Sequence, residues 1–264
     1  MSGSLRIGIV GGAGWLGGTI AASVLKAGIV EQSNLSMSYR REPNDAFPDA
    51  FWTKDNQALV DQSDVVLLSV RPQDWPALSI DASGKLVISV MAGIRLAALK
   101  ARHATERVVR ALPNAAAEVS CSYTPWIGSD QLPEDDRAIV RRIFASCGSE
   151  DEVGSERAID YLTGLTGSGP AFPALLTAAM MDDAIDHGLD CDVAKRAVST
   201  LLVGAGRLLE RRSECPGDIV RTFLSYHGTT AAAIEEMRAS GFEVAVRNGL
   251  SAAFSKSMSM GETS

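Results

Sequence analysis

The sequence predicts an α/β N-terminal domain followed by an all-α C-terminal domain, and three observations carry that prediction. Up to Phe144, short apolar runs of strand length alternate with stretches of helical period. Beyond Glu156 the strand pattern stops and only long helical periodicities remain. Near the start, an apolar run leads into Gly12-Ala13-Gly14-Trp15-Leu16-Gly17, which satisfies G-x-G-x-x-G where strand gives way to helix.

The first strand covers residues 5–10, and an amphipathic helix follows the glycine turn as far as Gly28. In such a Rossmann turn Gly12 makes the tight bend and Gly14 lets backbone approach a pyrophosphate. Gly17 lets the helix pack on the strand, and the helix N-terminus faces the phosphates. The alternative is a tight turn that holds no ligand. The second strand, residues 35–39, ends in Ser38-Tyr39-Arg40-Arg41. An NAD site expects a carboxylate there for the ribose 2′-hydroxyl; this strand end offers two guanidiniums, suited to a 2′-phosphate. Glu42 comes slightly late for the carboxylate role, and a solvated basic turn is the other reading.

Asp55-Asn56 opens a short helix through Val60. Residues 64–70 are nearly all apolar, as a parallel strand covered on both faces should be. They end in Ser69-Val70-Arg71-Pro72-Gln73, a corner at the carboxyl edge of the sheet, where ligands bind in such folds. Strand 86–90 runs into Met91-Ala92-Gly93 and strand 107–111 into Leu112-Pro113-Asn114. A helix starting after Pro133 takes in residues 139–144. The Ser/Glu/Asp/Gly-rich stretch 149–156 is the expected linker, dividing a dinucleotide-binding domain (1–153) from a helical substrate and dimerisation domain (154–264).

The helical half is organised around residues 162–183, where a turn of Gly164, Thr166, Gly167, Ser168 and Gly169 runs into an apolar stripe. Phe172, Leu175, Leu176, Ala179 and Met180 fall at the spacing of one buried helix face. Ser168 reads as its N-cap, with Pro170 in the first turn. The next helix, 192–212, points Val193, Ala197, Leu201, Gly204 and Leu208 inward. Gly204 and Gly206 each cost about 1 kcal/mol of helix propensity unless another helix passes very close. Helices over 216–224, 229–239 and 242–260 complete a domain whose apolar surface suggests dimerisation.

Composition narrows the function classes. Hydrophobic residues at 46% and charged ones at 22% are ordinary for a globular protein. A net charge of −7 and a pI near 5.1 argue against a nucleic-acid or anionic-membrane surface. No apolar run reaches the ~18 residues of a membrane span. The chain enters its first strand with no room for a signal peptide. Cys121, Cys147, Cys191 and Cys215 lack metal-type spacing and read as reduced thiols of a cytoplasmic protein.

The stretches 12–17, 55–56, 64–73, 88–93, 110–114, 165–172 and 225–230 together resemble the pyrroline-5-carboxylate reductase family. The resemblance implies a Rossmann domain, a helical domain built into an interlocked homodimer or larger homo-oligomer, and NAD(P)H as hydride donor. It also implies reduction of the C=N bond of a cyclic imino acid, with no metal. With the arginine pair, NADP(H) is expected over NAD(H). The expected cofactor contacts are Gly12, Ala13, Gly14, Trp15, Leu16, Gly17, Arg40, Arg41, Asn56, Val70, Arg71, Pro72, Ala92, Gly93 and Asn114. The family's proton-donating threonine falls at Thr230, and its carboxylate cradle at Ser225, Gly228, Thr229 and Thr230.

Those residue types suit the chemistry. Ser225-Tyr226-His227-Gly228-Thr229-Thr230 precedes Ala231-Ala232-Ala233-Ile234 and so forms a helix N-terminus with orphan N–H groups, donors for a carboxylate. The plain alternative is that Thr229 and Thr230 only cap the helix. The chain departs from the family's usual Ser-Pro-Gly-Gly loop at Tyr226-His227, and has Ala115-Ala116 for Thr-Pro, Ala178 for a pocket Glu and Phe172 for Tyr. Of the histidines, His103 is expected in solvent, His187 near a helix end, and His227 as either a general acid or a loop filler. A β-hydroxyacid dehydrogenase would place a catalytic Lys on the pivotal helix, and residues 164–187 contain none. A dinucleotide-binding protein without catalysis, or a reductase of another imine or keto acid, stays open.

Overall fold

The computed structural model describes residues 4–262. One compact unit is formed by the chain up to Ser168 together with the segment from Ala252 onward, and Gly169–Ser251 forms a second.

The first unit is built on β1 (Ile7–Val10), β2 (Leu35–Ser38), β3 (Phe51–Thr53), β4 (Val65–Leu68), β5 (Leu86–Ser89), β6 (Val108–Ala111), β7 (Ser122–Gly128) and β8 (Gly148–Glu152). Its helices are α1 (Trp15–Lys26), α2 (Asn56–Asp61), α3 (Leu96–His103), α4 (Glu134–Ala145) and α5 (Glu156–Leu162). The strands form one sheet in the order β3-β2-β1-β4-β5-β6-β7-β8. From β3 to β6 all neighbours are parallel; β7 is antiparallel to β6, and β8 parallel to β7. The chain winds outward from β1 to β3, then returns to the other side of β1 as β4. A crevice therefore opens at the carboxyl ends of β1 and β4.

The central strands are buried along their whole length because both faces are covered. The two-residue period sorts their side chains. Val65 and Leu67 join Ile7, Ile9 and Met37 under Ile20 and Val24 of α1 and Val140 and Phe144 of α4. Val66 and Leu68 join Val10 and Val87 on the opposite face, under Leu59 of α2 and Leu99 of α3.

The five expected strands are all present, trimmed at their ends. Residues 149–152, expected within the linker, instead belong to strand β8, in register with β7 from Ser122↔Gly148 to Trp126↔Glu152. His103, expected in solvent, is fully buried: Trp75 Nε1 donates to its Nε2 at 3.0 Å. The basic residues beside it on α3 point elsewhere, with the Arg102 guanidinium 5.0 Å from the Trp75 ring centre.

A buried ion network ties α5 and the end of the chain to the sheet. Arg110 of β6 reaches Asp160 at 2.6 Å and Glu156 at 3.3 Å. Asp160 also stands 2.9 Å from Arg95, an ion-pair contact without hydrogen-bond alignment, and accepts from Ser257 Oγ at 3.4 Å. After α5 a π-helical turn, Thr163–Gly167, leads to the second unit.

That unit contains α6 (Ala171–Asp186), α7 (Cys191–Arg211), α8 (Pro216–Ser225), α9 (Thr229–Ala239) and the start of α10 (Phe242–Glu262). Ser168 is not the cap of α6: it has helical backbone, Pro170 takes the cap position, and no side chain caps the helix. The stripe on α6 is not buried in this chain either; Leu175 is 74% exposed and Phe172 also lies open. On α7 the buried positions are Ala194 and Val198, whereas Val193, Leu201 and Leu208 are exposed. Periodicity marked the apolar surface correctly, but a single chain does not supply the surface that covers it. Among the described residues no helix is long and apolar enough to cross a membrane.

Candidate active site

At the β1–β4 crevice lies a cleft of about 620 Å³. Its floor is the glycine turn. Gly11, rather than Gly12, supplies the left-handed bend, with φ +83°, and a Cβ there would stand 2.6 Å from the Ser69 carbonyl oxygen. Gly12 is needed for contact instead, since its Cβ would meet the Met37 side chain at 2.9 Å. At Gly17 a Cβ would lie 2.7 Å from the Gly11 carbonyl oxygen, so the first turn of α1 packs directly on the bend. Gly11 N–H donates to Ser38 Oγ at 2.9 Å and Ala13 N–H to the Ser38 carbonyl at 3.2 Å, fastening the turn to β2. Gly14 caps α1 with no side-chain acceptor, which leaves first-turn donors for an anion. Trp15 donates its indole N–H to Glu118 across this end of the helix.

The cleft wall brings together Ala13, Gly14, Arg40, Arg41, Asn56, Val70 and Arg71 from the expected set. Asn56 is held there because Asp55 caps α2, accepting from Gln57 and Ala58 N–H at 2.9 and 3.2 Å. Lys54 adds a cation 5.4 Å from the Tyr39 ring centre. Trp15 and Leu16 begin α1, and Pro72 follows Arg71 at the corner after β4. Ala92, Gly93 and Asn114 follow β5 and β6, outside the cleft lining. Gly93, at φ +80°, packs against Met260, where a Cβ would meet that side chain at 3.0 Å. Asn114 is buried and donates to the Thr166 carbonyl at 3.0 Å while accepting from Ala116 N–H at 2.9 Å.

Sequence reasoning missed Lys54 and, with more consequence, Asp74. Asp74, in the turn after β4, lies in the same cleft and pairs with both Arg71 (2.8 Å) and Arg40 (2.9 Å). These hydrogen bonds, the one from Arg71 foremost, hold its carboxyl below the usual carboxylate range. No local signal in the sequence links residues 40 and 74; only the strand order brings β2 and β4 to either side of β1.

The remaining expected residues lie in the second unit, at the α8–α9 corner. Ser225 ends α8 and its hydroxyl donates to the Thr222 carbonyl at 2.8 Å. His227 has φ +48°, the left-handed backbone that a glycine would adopt without strain. Gly228 is the N-cap of α9 and supplies no side-chain acceptor, so the first-turn amides at Thr229 and Thr230 have no capping partner.

The residues of the cleft fit a dinucleotide: glycines where a side chain would collide, an uncapped helix N-terminus, and cations at the β2 end. The comparisons agree. A family model described as pyrroline-5-carboxylate reductase dimerisation matches residues 156–260, and one described as NADP oxidoreductase coenzyme F420-dependent matches residues 6–93. The pyrroline-5-carboxylate reductase of Methanosarcina acetivorans is 33% identical, over 97% of this chain and 98% of that one. Among solved structures, the 1-pyrroline-5-carboxylate reductase of Streptococcus pyogenes aligns with a TM-score of 0.84 at 26% identity, covering 97% of this chain and 98% of that one. The Plasmodium falciparum pyrroline carboxylate reductase with NADP bound aligns with a TM-score of 0.85 at 24% identity, again covering 97% and 98%. Because the likeness extends over both compact units and not the nucleotide fold alone, the chain belongs to the pyrroline-5-carboxylate reductase family.

Proposed function

We propose that the protein reduces the C=N bond of a cyclic imino acid, pyrroline-5-carboxylate to proline, with a nicotinamide dinucleotide as donor and NADPH preferred to NADH. The observation that carries this reading is the α8–α9 corner, where an uncapped helix N-terminus stands beside the Thr230 hydroxyl in the family's substrate motif. Amides at such an end carry partial positive charge and accept a carboxylate without a competing side chain. The cleft residues would hold the dinucleotide, whose chemistry when bound would be hydride donation to the imine carbon. The chain's own part is to hold the substrate carboxylate at Ser225, Gly228, Thr229 and Thr230 and to place the Thr230 proton at the imine nitrogen as that nitrogen becomes an amine.

On this reading the dinucleotide contacts are the fifteen positions expected from the sequence, and the roles divide near residue 153. Open apolar surface on α6 and α7 supports assembly into a homodimer or larger homo-oligomer. The net charge of −7 supports a small-molecule role without nucleic acid or membrane, and four free cysteines support a cytoplasmic setting. A second reading, reduction of a different cyclic imino acid, is favoured by His227, which keeps a strained left-handed backbone where the family motif has glycine.

The test is Thr230→Ala, assayed by NADPH oxidation with pyrroline-5-carboxylate and a panel of other imino and keto acids. Loss of a proton donor lowers kcat and kcat/KM together, by about 10²–10⁴-fold. Thr230→Ser keeps most activity, and NADPH affinity is unchanged in both. A Thr230→Ala enzyme as active as wild type refutes the assignment.

A further inference from the structure

We propose that Asp74 tunes cofactor choice, acting as an internal anion that Arg40 and Arg71 hold in the place a nucleotide 2′-phosphate would take. The inference rests on the reading of this cleft as the adenosine end of a dinucleotide site.

The end of β2 lacks the carboxylate that grips a ribose 2′-hydroxyl in NAD sites, yet the fold delivers one from the turn after β4. Both guanidiniums converge on a single oxygen, Asp74 Oδ2, at 2.8 and 2.9 Å. That is the arrangement of donors a phosphate oxygen attracts. The partners are unequally exposed. The Arg40 and Arg71 side chains are 65% and 67% exposed, whereas Asp74 is 20% exposed and its backbone N–H is tied to the Arg71 carbonyl at 2.8 Å. The arginines are therefore free to re-pair, and the carboxylate stays.

Exposed ion pairs of this kind contribute little, so exchanging a carboxylate for a phosphate oxygen costs little at the arginines. The cost lies in charge. A phosphate monoester carries about −1.5 to −2 at neutral pH and must settle beside a fixed negative group. NADH meets the opposite situation, because its 2′-hydroxyl donates to a carboxylate. Asp74 thus weighs against the phosphate-bearing cofactor and offers the other an acceptor, while Arg41 and Lys54, which make no ion pair among the described residues, keep the cleft cationic.

The test is titration calorimetry of the full chain with adenosine 2′,5′-bisphosphate and adenosine 5′-monophosphate, comparing wild type, Asp74→Asn and Asp74→Ser. Removing one like charge roughly 5 Å from a dianion in a high-dielectric cleft tightens the bisphosphate about tenfold. The monophosphate, whose free 2′-hydroxyl loses its acceptor, binds equally or more weakly, so the two nucleotides move apart, and an unchanged melting midpoint reports an intact fold. If wild type prefers the bisphosphate but both variants bind it equally well or more weakly, Asp74 only positions the arginines and the inference is overturned while the reading of the cleft stands. If wild type and both variants all bind the two nucleotides alike, no 2′-phosphate is read in this cleft, and the cofactor reading falls together with the inference.

Discussion

Replacing Asp160 by Asn removes the one charge on which three parts of the first unit converge. Its carboxylate is fully buried, 2.6 Å from Arg110 Nη2 and 2.9 Å from Arg95 Nη1, and it accepts from Ser257 near the end of the chain. Arg110 is itself buried, and among the described residues its Nε has no partner, so the substitution leaves a cation in the protein interior with only Glu156, at 3.3 Å, of the described carboxylates. Removing one member of a buried pair costs about 3–5 kcal/mol, because the charge left behind is desolvated and uncompensated. Glu156 and the partly open Arg95 place this case near the low end, about 3 kcal/mol. For a chain of this size that corresponds to a fall in Tm of about 6–12 °C. Denaturant and thermal unfolding at two protein concentrations check it, since an assembling protein's apparent stability depends on concentration. The control is Asp64→Asn, whose partner Arg6 is half-exposed and whose loss shifts the midpoint far less. The double change Arg110→Met with Asp160→Leu recovers most of the loss if uncompensated charge is the cause. A midpoint within about 2 °C of wild type for Asp160→Asn refutes the reasoning, because the network is then hydrated and not a buried charge centre.

Two further outcomes follow from the same structure. Burial holds the His103 imidazole below its ordinary pKa, and its Nε2 accepts from Trp75, so the folded protein carries it neutral. As pH falls below about 6.5 the unfolded chain binds a proton that the folded one refuses, and stability drops; His103→Gln flattens that slope in denaturant melts between about pH 5 and 7, and unchanged slopes refute the assignment. Replacing Arg40 and Arg41 together by Ala raises the NADPH dissociation constant about tenfold to hundredfold and leaves NADH nearly unchanged; equal losses for both cofactors show that the arginines contact something common to the two.

Much of the Rossmann half was legible because its signals are local. Apolar strands, a G-x-G-x-x-G turn and a helix opening at Asp55-Asn56 each act through neighbours a few residues away, and all three are present, although the tight bend falls on Gly11 and not on Gly12. The outer strands gave no such signal. Pro125 interrupts the strand pattern of β7, and β8 reads Gly-Ser-Glu-Asp-Glu because it lies at the sheet's edge with most residues open to water. What holds β8 is its partner: a Cβ at Gly148 would stand 2.1 Å from the Ser122 carbonyl oxygen, a closeness no composition rule anticipates. Asp74 was invisible for a related reason. Its role depends on β2 and β4 flanking β1, which is topology, not spacing. His103 misled through its neighbours, since Lys100 and Arg102 suggested solvent while the helix turned its Leu99 and His103 face toward the core.

The helical half poses a different limit, and Gly204 and Gly206 show what kind. Each weakens α7 by about 1 kcal/mol relative to alanine, a cost that close helix packing offsets when the missing side chain lets another backbone approach. Among the described residues a Cβ at either position would meet nothing within 4 Å, and Leu201, Val203, Leu208 and Leu209 on the same helix lie open. The apolar periodicity therefore marks faces that are apolar yet open in a single chain. A second copy supplies a covering surface, and residues 156–260 match a family model of dimerisation. A sequence records that a face is to be covered through the residues on it; which chain covers it is recorded only in the geometry of the assembly.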